Sequence, residues 1–284
     1  MNSPWPCYTP HMPGNATEPP GSGTLRFALK VQDCNIEVSA QLPGGTVGPT
    51  ALLPILQGLS NSMSDLAARG AAQVGEQVSC REGCAACCRH PVPLTPLEAR
   101  MLSEWLDQQP EGRKAVLRER IRKAAARLEE AGIARRLRES TYTSGRSALH
   151  ALGLEYFALG IPCPFLEEER CSIYSIRPMR CREYMVVSPA ERCAHPDTKE
   201  IVSVKPPVLL SQILAQWDVN GDRQPHELIL LTMLDEWVAQ HPAKEDRAHR
   251  TAPEMLKEFL QAFARDAQHA TDARGDGAAN SPAG

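Results

Sequence analysis

The residues of this 284-residue chain best suited to chemistry are its ten cysteines, eight of which fall in two compact groups. The first group reads Cys80-Arg-Glu-Gly-Cys84-Ala-Ala-Cys87-Cys88, four thiols within nine residues. Spacers of two or three residues let successive thiolates converge on one ion or cluster. Gly83 eases the tight turn this needs, and loop N–H groups can offset thiolate charge. The second group holds Cys163-Pro-Phe-Leu, then Cys171-Ser-Ile-Tyr-Ser-Ile-Arg-Pro-Met-Arg-Cys181-Arg-Glu-Tyr184, then Cys193 with His195 close behind. Cys7, near the N-terminus, and Cys34, expected in a hairpin turn, stand apart and are set aside.

A single cysteine is most often a small buried hydrophobe, but eight in two clusters point to metal ligation. Disulfides fit poorly, because a vicinal pair such as Cys87-Cys88 bonds to itself only with strain and the first residues carry no secretory pattern. The candidate metal ligands are therefore Cys80, Cys84, Cys87, Cys88, Cys163, Cys171, Cys181 and Cys193. Thiolate sets suit zinc and iron–sulfur clusters alike. Adjacent Cys87 and Cys88 point in different directions, so one site with spare thiols and two sites are both open. Around Cys181, the cations Arg177, Arg180 and Arg182 form a candidate cofactor-binding group with Tyr184. They would neutralise a thiolate cluster or bind an anionic substrate; the alternative is ion pairing with Glu167-Glu168-Glu169. Tyr174 and Tyr184 are candidate hydrogen-bond donors to sulfur, and His90 or His195 could complete a mixed ligand set.

In Cys84-Ala-Ala-Cys87-Cys88, Cys163-Pro-Phe-Leu166 and Cys171-x-Ile173-Tyr174-x-x-Arg177-Pro178-x-x-Cys181-Arg182-x-Tyr184, the chain resembles the CxxCxxCC cysteine-cluster family. This family is also described as YkgJ-like zinc- or iron-chelating proteins, and the likeness covers about residues 80–195. Three residues, where the family name has two, separate Cys80 from Cys84, so Cys80 is carried less directly than its neighbours. The resemblance implies chelation of zinc or of iron, as a mononuclear ion or a 4Fe–4S cluster, and brings no settled reaction. A related branch resembles flagellin lysine methylases, for which an iron–sulfur site is implied. That analogy keeps an iron–sulfur enzyme modifying a protein or small substrate in view, beside an interaction module with structural zinc. Cys80, Cys84 and Cys87 also have the spacing of radical S-adenosylmethionine enzymes. There, however, Ala86 replaces the usual aromatic, and no series of βα units follows.

The elements that must position these thiols read as mainly α with a small N-terminal β-hairpin. Leu25, Phe27, Leu29 and Val31 alternate with polar residues, as do Ile36, Val38, Ala40 and Leu42, with a turn at residues 32–35. A helix from about Ala51 to Val78 leads to the first cysteines, and Thr95-Pro96-Leu97-Glu98 is a capping box opening another to about Gln108. Residues 113–138 read as a helix with an apolar stripe at Leu117, Ile121, Ala124, Leu128 and Ala131. Its other faces carry ten Lys/Arg against three Glu. With no interleaved aromatics, that face reads as solvated, and nucleic acid is not expected as a partner. Further helices are expected at 147–159, as a buried span at 225–240, and after the capping box Thr251-Ala252-Pro253-Glu254.

The domain plan that follows is a disordered tail over 1–22, a hairpin over 23–48, and a cysteine-cluster domain over 49–200. C-terminal helices over 201–268 and a disordered tail over 269–284 complete it. No apolar stretch approaches the roughly 20 residues a membrane helix needs, and no repeat is visible. The expectation is a cytoplasmic, membrane-free protein whose one identifiable partner is a metal ion.

Overall fold

A computed structural model describes residues 23–31, 34–140, 145–197, 200–217, 229–242 and 250–278. Both expected tails lie wholly or partly outside the described residues, as do Cys7 and the turn residues 32–33. The described chain is mainly α-helical, with sheets of two strands each.

The hairpin is β1 (Gly23–Val31) paired antiparallel with β2 (Cys34–Leu42), in register from Gly23 opposite Leu42 to Val31 opposite Cys34. Alternation buries one whole face of β2, from Cys34 through Ile36, Val38 and Ala40 to Leu42. Cys34 is thus a core residue of β2, not a turn residue. The buried face packs on α1 (Leu53–Gln73), α7 (Leu210–Gln216) and α9 (Ala252–Ala278) through Leu56, Met63, Leu214, Met255, Phe259 and their neighbours. Helix α1 ends five residues before the expected Val78, because Gly75 turns the chain at φ +81°. Helix α9 begins at the second capping box, where Thr251 N–H and Oγ1 both donate to Glu254. It runs past Gln268, where the sequence suggested order would end.

The other core is built from α2 (Pro96–Asp107), α3 (Glu111–Glu130), α4 (Ile133–Arg138), α5 (Arg146–Ala158) and α8 (Leu234–Gln240). The single helix expected over 113–138 is two. Gly132, at φ +69°, breaks it and turns Ile133, Ala134 and Leu137 onto α5. Leu117, Ile121, Ala124 and Leu128 are buried as the stripe predicted. The basic face is largely engaged within the protein: Arg118 with Asp107 and Asp235, Arg120 with Glu167, Arg122 with Glu119 and Lys114 with Glu111. In the span expected to be helical over 225–240, Ile229–Leu230 form a strand, β9, paired with Pro93–Leu94 (β4). The helix starts only at Leu234. A short apolar run buried on all sides is equally a core strand, and here strand pairing wins.

Three further pairs close the loops: β3 (Thr46–Val47) with β10 (Arg250–Thr251), β5 (Leu166–Glu167) with β6 (Arg170–Cys171), and β7 (Met185–Val186) with β8 (Ser203–Val204). The five-residue helix α6 (Met179–Glu183) packs against α1 and carries Cys181. Among the described residues no helix is long and apolar enough to cross a membrane.

Candidate metal centre

Between Val74 and Pro93 only Ala85 is buried, so apolar packing does little to shape the first cysteine loop. Backbone turns shape it instead. Cys84 N–H donates to Arg81 O at 3.0 Å, Cys88 N–H to Ala85 O at 2.9 Å and His90 N–H to Cys87 O at 3.0 Å. Gly83 supplies a φ of +83°. Three hydrogen bonds then fasten this loop to the second cysteine region. Ser79 N–H reaches Val186 O in β7 at 2.8 Å, and Cys163 N–H reaches Cys88 O at 2.7 Å. The His90 ring contacts Cys193 O through Nε2 at 2.7 Å. A carbonyl can only accept, so Nε2 carries the proton and Nδ1 is the basic nitrogen of His90. Its ring also meets the edge of Phe157, with centroids 5.1 Å apart.

The second region repeats one local device. The backbone N–H of Phe165 donates to the Cys163 sulfur, and that of Ile173 donates to the Cys171 sulfur, each from two residues downstream. Phe165 and Ile173 are themselves buried in the core, which fixes the direction of both N–H groups. The β5–β6 turn holds Glu168 and Glu169 at φ 48° and 55°. Cys181 sits in α6, whose first N–H, from Met179, donates to the buried Glu98 carboxylate at 2.7 Å. The same carboxylate accepts from Thr95 N–H and Oγ1, both at 2.9 Å, in the capping box of α2.

Burial is the first cause that raises the Cys163, Cys171 and Cys181 thiols above their ordinary range; for Cys87 it is the hydrogen bond to Cys88, with burial second. These four also act on one another: Cys163 feels Cys181, Cys171 and Cys87, Cys181 feels Cys87 and Cys171, and Cys171 feels Cys87. A second group forms about Cys193, whose thiol is pushed up to about 11 by burial and by the nearby Cys87, Cys80 and Cys84. Tyr184 hydroxyl donates to it. Cys80 is raised by burial against an opposing Val186 N–H. Arg177, stacked 3.7 Å from the Tyr174 ring centroid, favours thiolate at Cys87, Cys171 and Cys181, and Arg182 adds to it at Cys171. Among the described residues, no three Cys, His, Asp or Glu side chains already stand as a metal-holding set. The thiols are gathered in two neighbouring groups and are not converged on a single point.

These shifts set a pH dependence for the metal-free protein. Folded-state thiol pKa values above the unfolded value contribute stability that is full below about pH 8.5. It is lost as pH rises through the higher folded values. Metal-free protein is therefore expected to lose stability steadily above about pH 9, read by urea unfolding across pH; an unchanged midpoint would contradict the burial of these thiols.

Of the candidate cations, Arg182 is buried, and its guanidinium donates to Arg177 O (2.9 Å), Asn61 Oδ1 (3.0 Å) and Ser175 O. Burial lowers its pKa to about 10, so it stays cationic at neutral pH. It clamps the loop between Cys171 and Cys181. Arg182→Ala should cost about 3 kcal/mol in chemical denaturation by leaving those acceptors unpaired, with Arg182→Lys recovering only part. Arg180 is exposed and lies 4.0 Å from Glu183. The run Glu167-Glu168-Glu169 is not their partner: Glu167 pairs with Arg120 and Glu169 with Arg89. His195 is exposed. The buried acids Glu98 and Glu183, the latter accepting from Ser211 N–H and Oγ, hold the two ends of α6 and were not anticipated as site residues. The capping box at Thr95 pointed to Glu98 as a helix cap, but not to its bond with Met179.

The donor set, eight thiols with N–H and hydroxyl donors aimed at sulfur, fits a thiophilic metal. No curated protein and no solved structure matches the chain. Residues 79–204, which begin at the Ser79 anchor and end at β8, match the CxxCxxCC family, described as "Putative zinc- or iron-chelating domain". Over these residues the chain is similar to the CxxCxxCC family, in agreement with the resemblance its cysteine spacing suggested.

Proposed function

We propose that residues 79–204 chelate iron or zinc through thiolates, with Cys87, Cys163, Cys171 and Cys181 as the principal ligands. The observation that carries this reading is that every pair among these four thiols interacts electrostatically, although they come from three separate chain segments. The Cys163 N–H to Cys88 O bond brings those segments together. A four-thiolate set is tetrahedral and soft, as both zinc and iron–sulfur centres require. N–H groups of Phe165 and Ile173 and the Arg177 guanidinium offset the negative charge that metal-bound thiolates retain. Zinc would supply structural cross-linking and iron one-electron chemistry; Glu98, Arg182 and the β5–β6 turn position the ligands in either case.

The test is metal analysis with a visible spectrum on protein purified without oxygen. Stoichiometric iron with charge-transfer absorption, or stoichiometric zinc without colour, is expected, and Cys163→Ala and Cys181→Ala should each remove it. Folded protein that takes up neither ion would overturn the proposal.

A further inference from the structure

The β5–β6 hairpin carries a cysteine on each arm: Cys163 lies just before β5, and Cys171 ends β6 opposite Leu166. Glu167 pairs with Arg170, so the turn between them is Glu168-Glu169 alone, at φ 48° and 55°. A two-residue hairpin turn with both φ values positive is of type I′, for which Asn-Gly is the unstrained sequence. Glutamate meets the Cβ clash of the left-handed region and lacks the short side chain that lets Asn or Asp bond the local backbone in return. A turn that served only to reverse the chain would gain by losing both glutamates. The arms behind it are well fixed. Ser172 N–H and Oγ donate to Phe165 O at 2.9 and 3.0 Å, and Arg120 donates to Pro164 O at 3.3 Å.

What Glu169 supplies is a carboxylate at the tip of the hairpin. The Arg89 guanidinium donates to it twice, from Nη2 to Oε1 at 2.9 Å and from Nη1 to Oε2 at 3.4 Å. Arg89 directly follows Cys87-Cys88, and Cys88 O accepts from Cys163 N–H at 2.7 Å at the base of the same hairpin. The first cysteine loop is therefore fastened to one rigid element at two points, its base and its tip. A single point lets a loop pivot about it, whereas two fix its direction. We infer that Arg89 and Glu169 are positioning residues for metal retention, a clasp that holds the Cys87-Cys88 dipeptide against the hairpin bearing Cys163 and Cys171. The strain of the turn is the cost of placing that carboxylate. The clasp is open to solvent, with side chains 36% and 65% exposed, so its effect is modest in size and weakened by salt. The inference rests on the thiolate-chelation reading above and adds two residues that are not ligands.

The rate at which reduced, zinc-loaded full-length protein gives up zinc to an excess of a coloured chelator tests it. Glu169→Gly should release zinc about two- to fivefold faster, although glycine suits this turn better than glutamate. Arg89→Ala should do the same, and the double variant should be no faster than either, because both remove one contact. Glu168→Asn relieves the neighbouring strain without touching the clasp, so it should raise the denaturant midpoint and leave the release rate unchanged. Added sodium chloride should speed release from the unsubstituted protein more than from Glu169→Gly. Release from Glu169→Gly at the unsubstituted rate, or additive effects of the two single changes, would overturn the clasp while leaving chelation intact. Failure of the unsubstituted protein to take up zinc or iron would sink the chelation reading itself. The Asn and Gly substitutions favour the observed turn, so loss of fold does not confound the comparison.

Discussion

Stripping the metal from this protein with a strong chelator is expected to lower the thermal transition of residues 79–204 by tens of degrees. The magnitude follows from how little else holds the first cysteine loop. Only Ala85 is buried between Val74 and Pro93, so the loop contributes almost no hydrophobic stabilisation. Its tethers are the hydrogen bonds that Ser79, Cys88 and His90 make with the second region, at about 1 kcal/mol net each, and the exposed Arg89–Glu169 ion pair, which contributes less. Ordering a chain of that length costs more than such bonds return, at about 1–2 kcal/mol per residue. A structural thiolate site contributes ~10 kcal/mol or more, comparable with the whole stability of a domain. Differential scanning calorimetry before and after chelation checks this. A fall of tens of degrees, reversed by restoring the metal under reducing conditions, is expected; an unchanged transition would show that the loop is held without metal.

Glu98→Ala should be the most damaging substitution outside the cysteines. Its carboxylate is 1% exposed and joins two helix starts, accepting from Thr95 in α2 and from Met179 in α6. Removing it leaves the Met179 and Thr95 N–H groups without their carboxylate partner in the core, each costing about 1–3 kcal/mol. A loss of about 3–5 kcal/mol is therefore expected, read from denaturant midpoints. Because α6 carries Cys181, metal affinity should fall too. Glu98→Gln separates the two effects: its amide oxygen accepts one set of bonds but its NH2 faces an N–H, so it should fold yet still hold metal less tightly. Full metal affinity in Glu98→Gln would show that Glu98 supports the helices without positioning Cys181.

Features set by neighbours along the chain were legible in the sequence. The β1–β2 hairpin follows from strict alternation, and both capping boxes stand where Thr95 and Thr251 placed them. Spacing picked out the two cysteine groups, whereas the place of Cys34 in β2 rather than in the turn was not legible. What was not legible depends on distant partners. Whether Ile229–Leu230 become strand or helix is decided by Pro93–Leu94 pairing beside them. Arg182 looks like its neighbours Arg177 and Arg180 in sequence, yet only Arg182 turns inward, because Asn61 of α1 and the Ser175 and Arg177 carbonyls surround it. Glu98 reads as a local cap; its second bond spans 81 residues. Gly75 and Gly132 were missed local signals, the second overridden by the apolar periodicity that continues through it.

The most direct test of the central claim is X-ray absorption at the edge of the metal carried by protein purified without oxygen. A first shell of sulfur alone, about four atoms at ~2.3 Å, is the predicted result. A shell dominated by nitrogen or oxygen would contradict thiolate chelation by these cysteines.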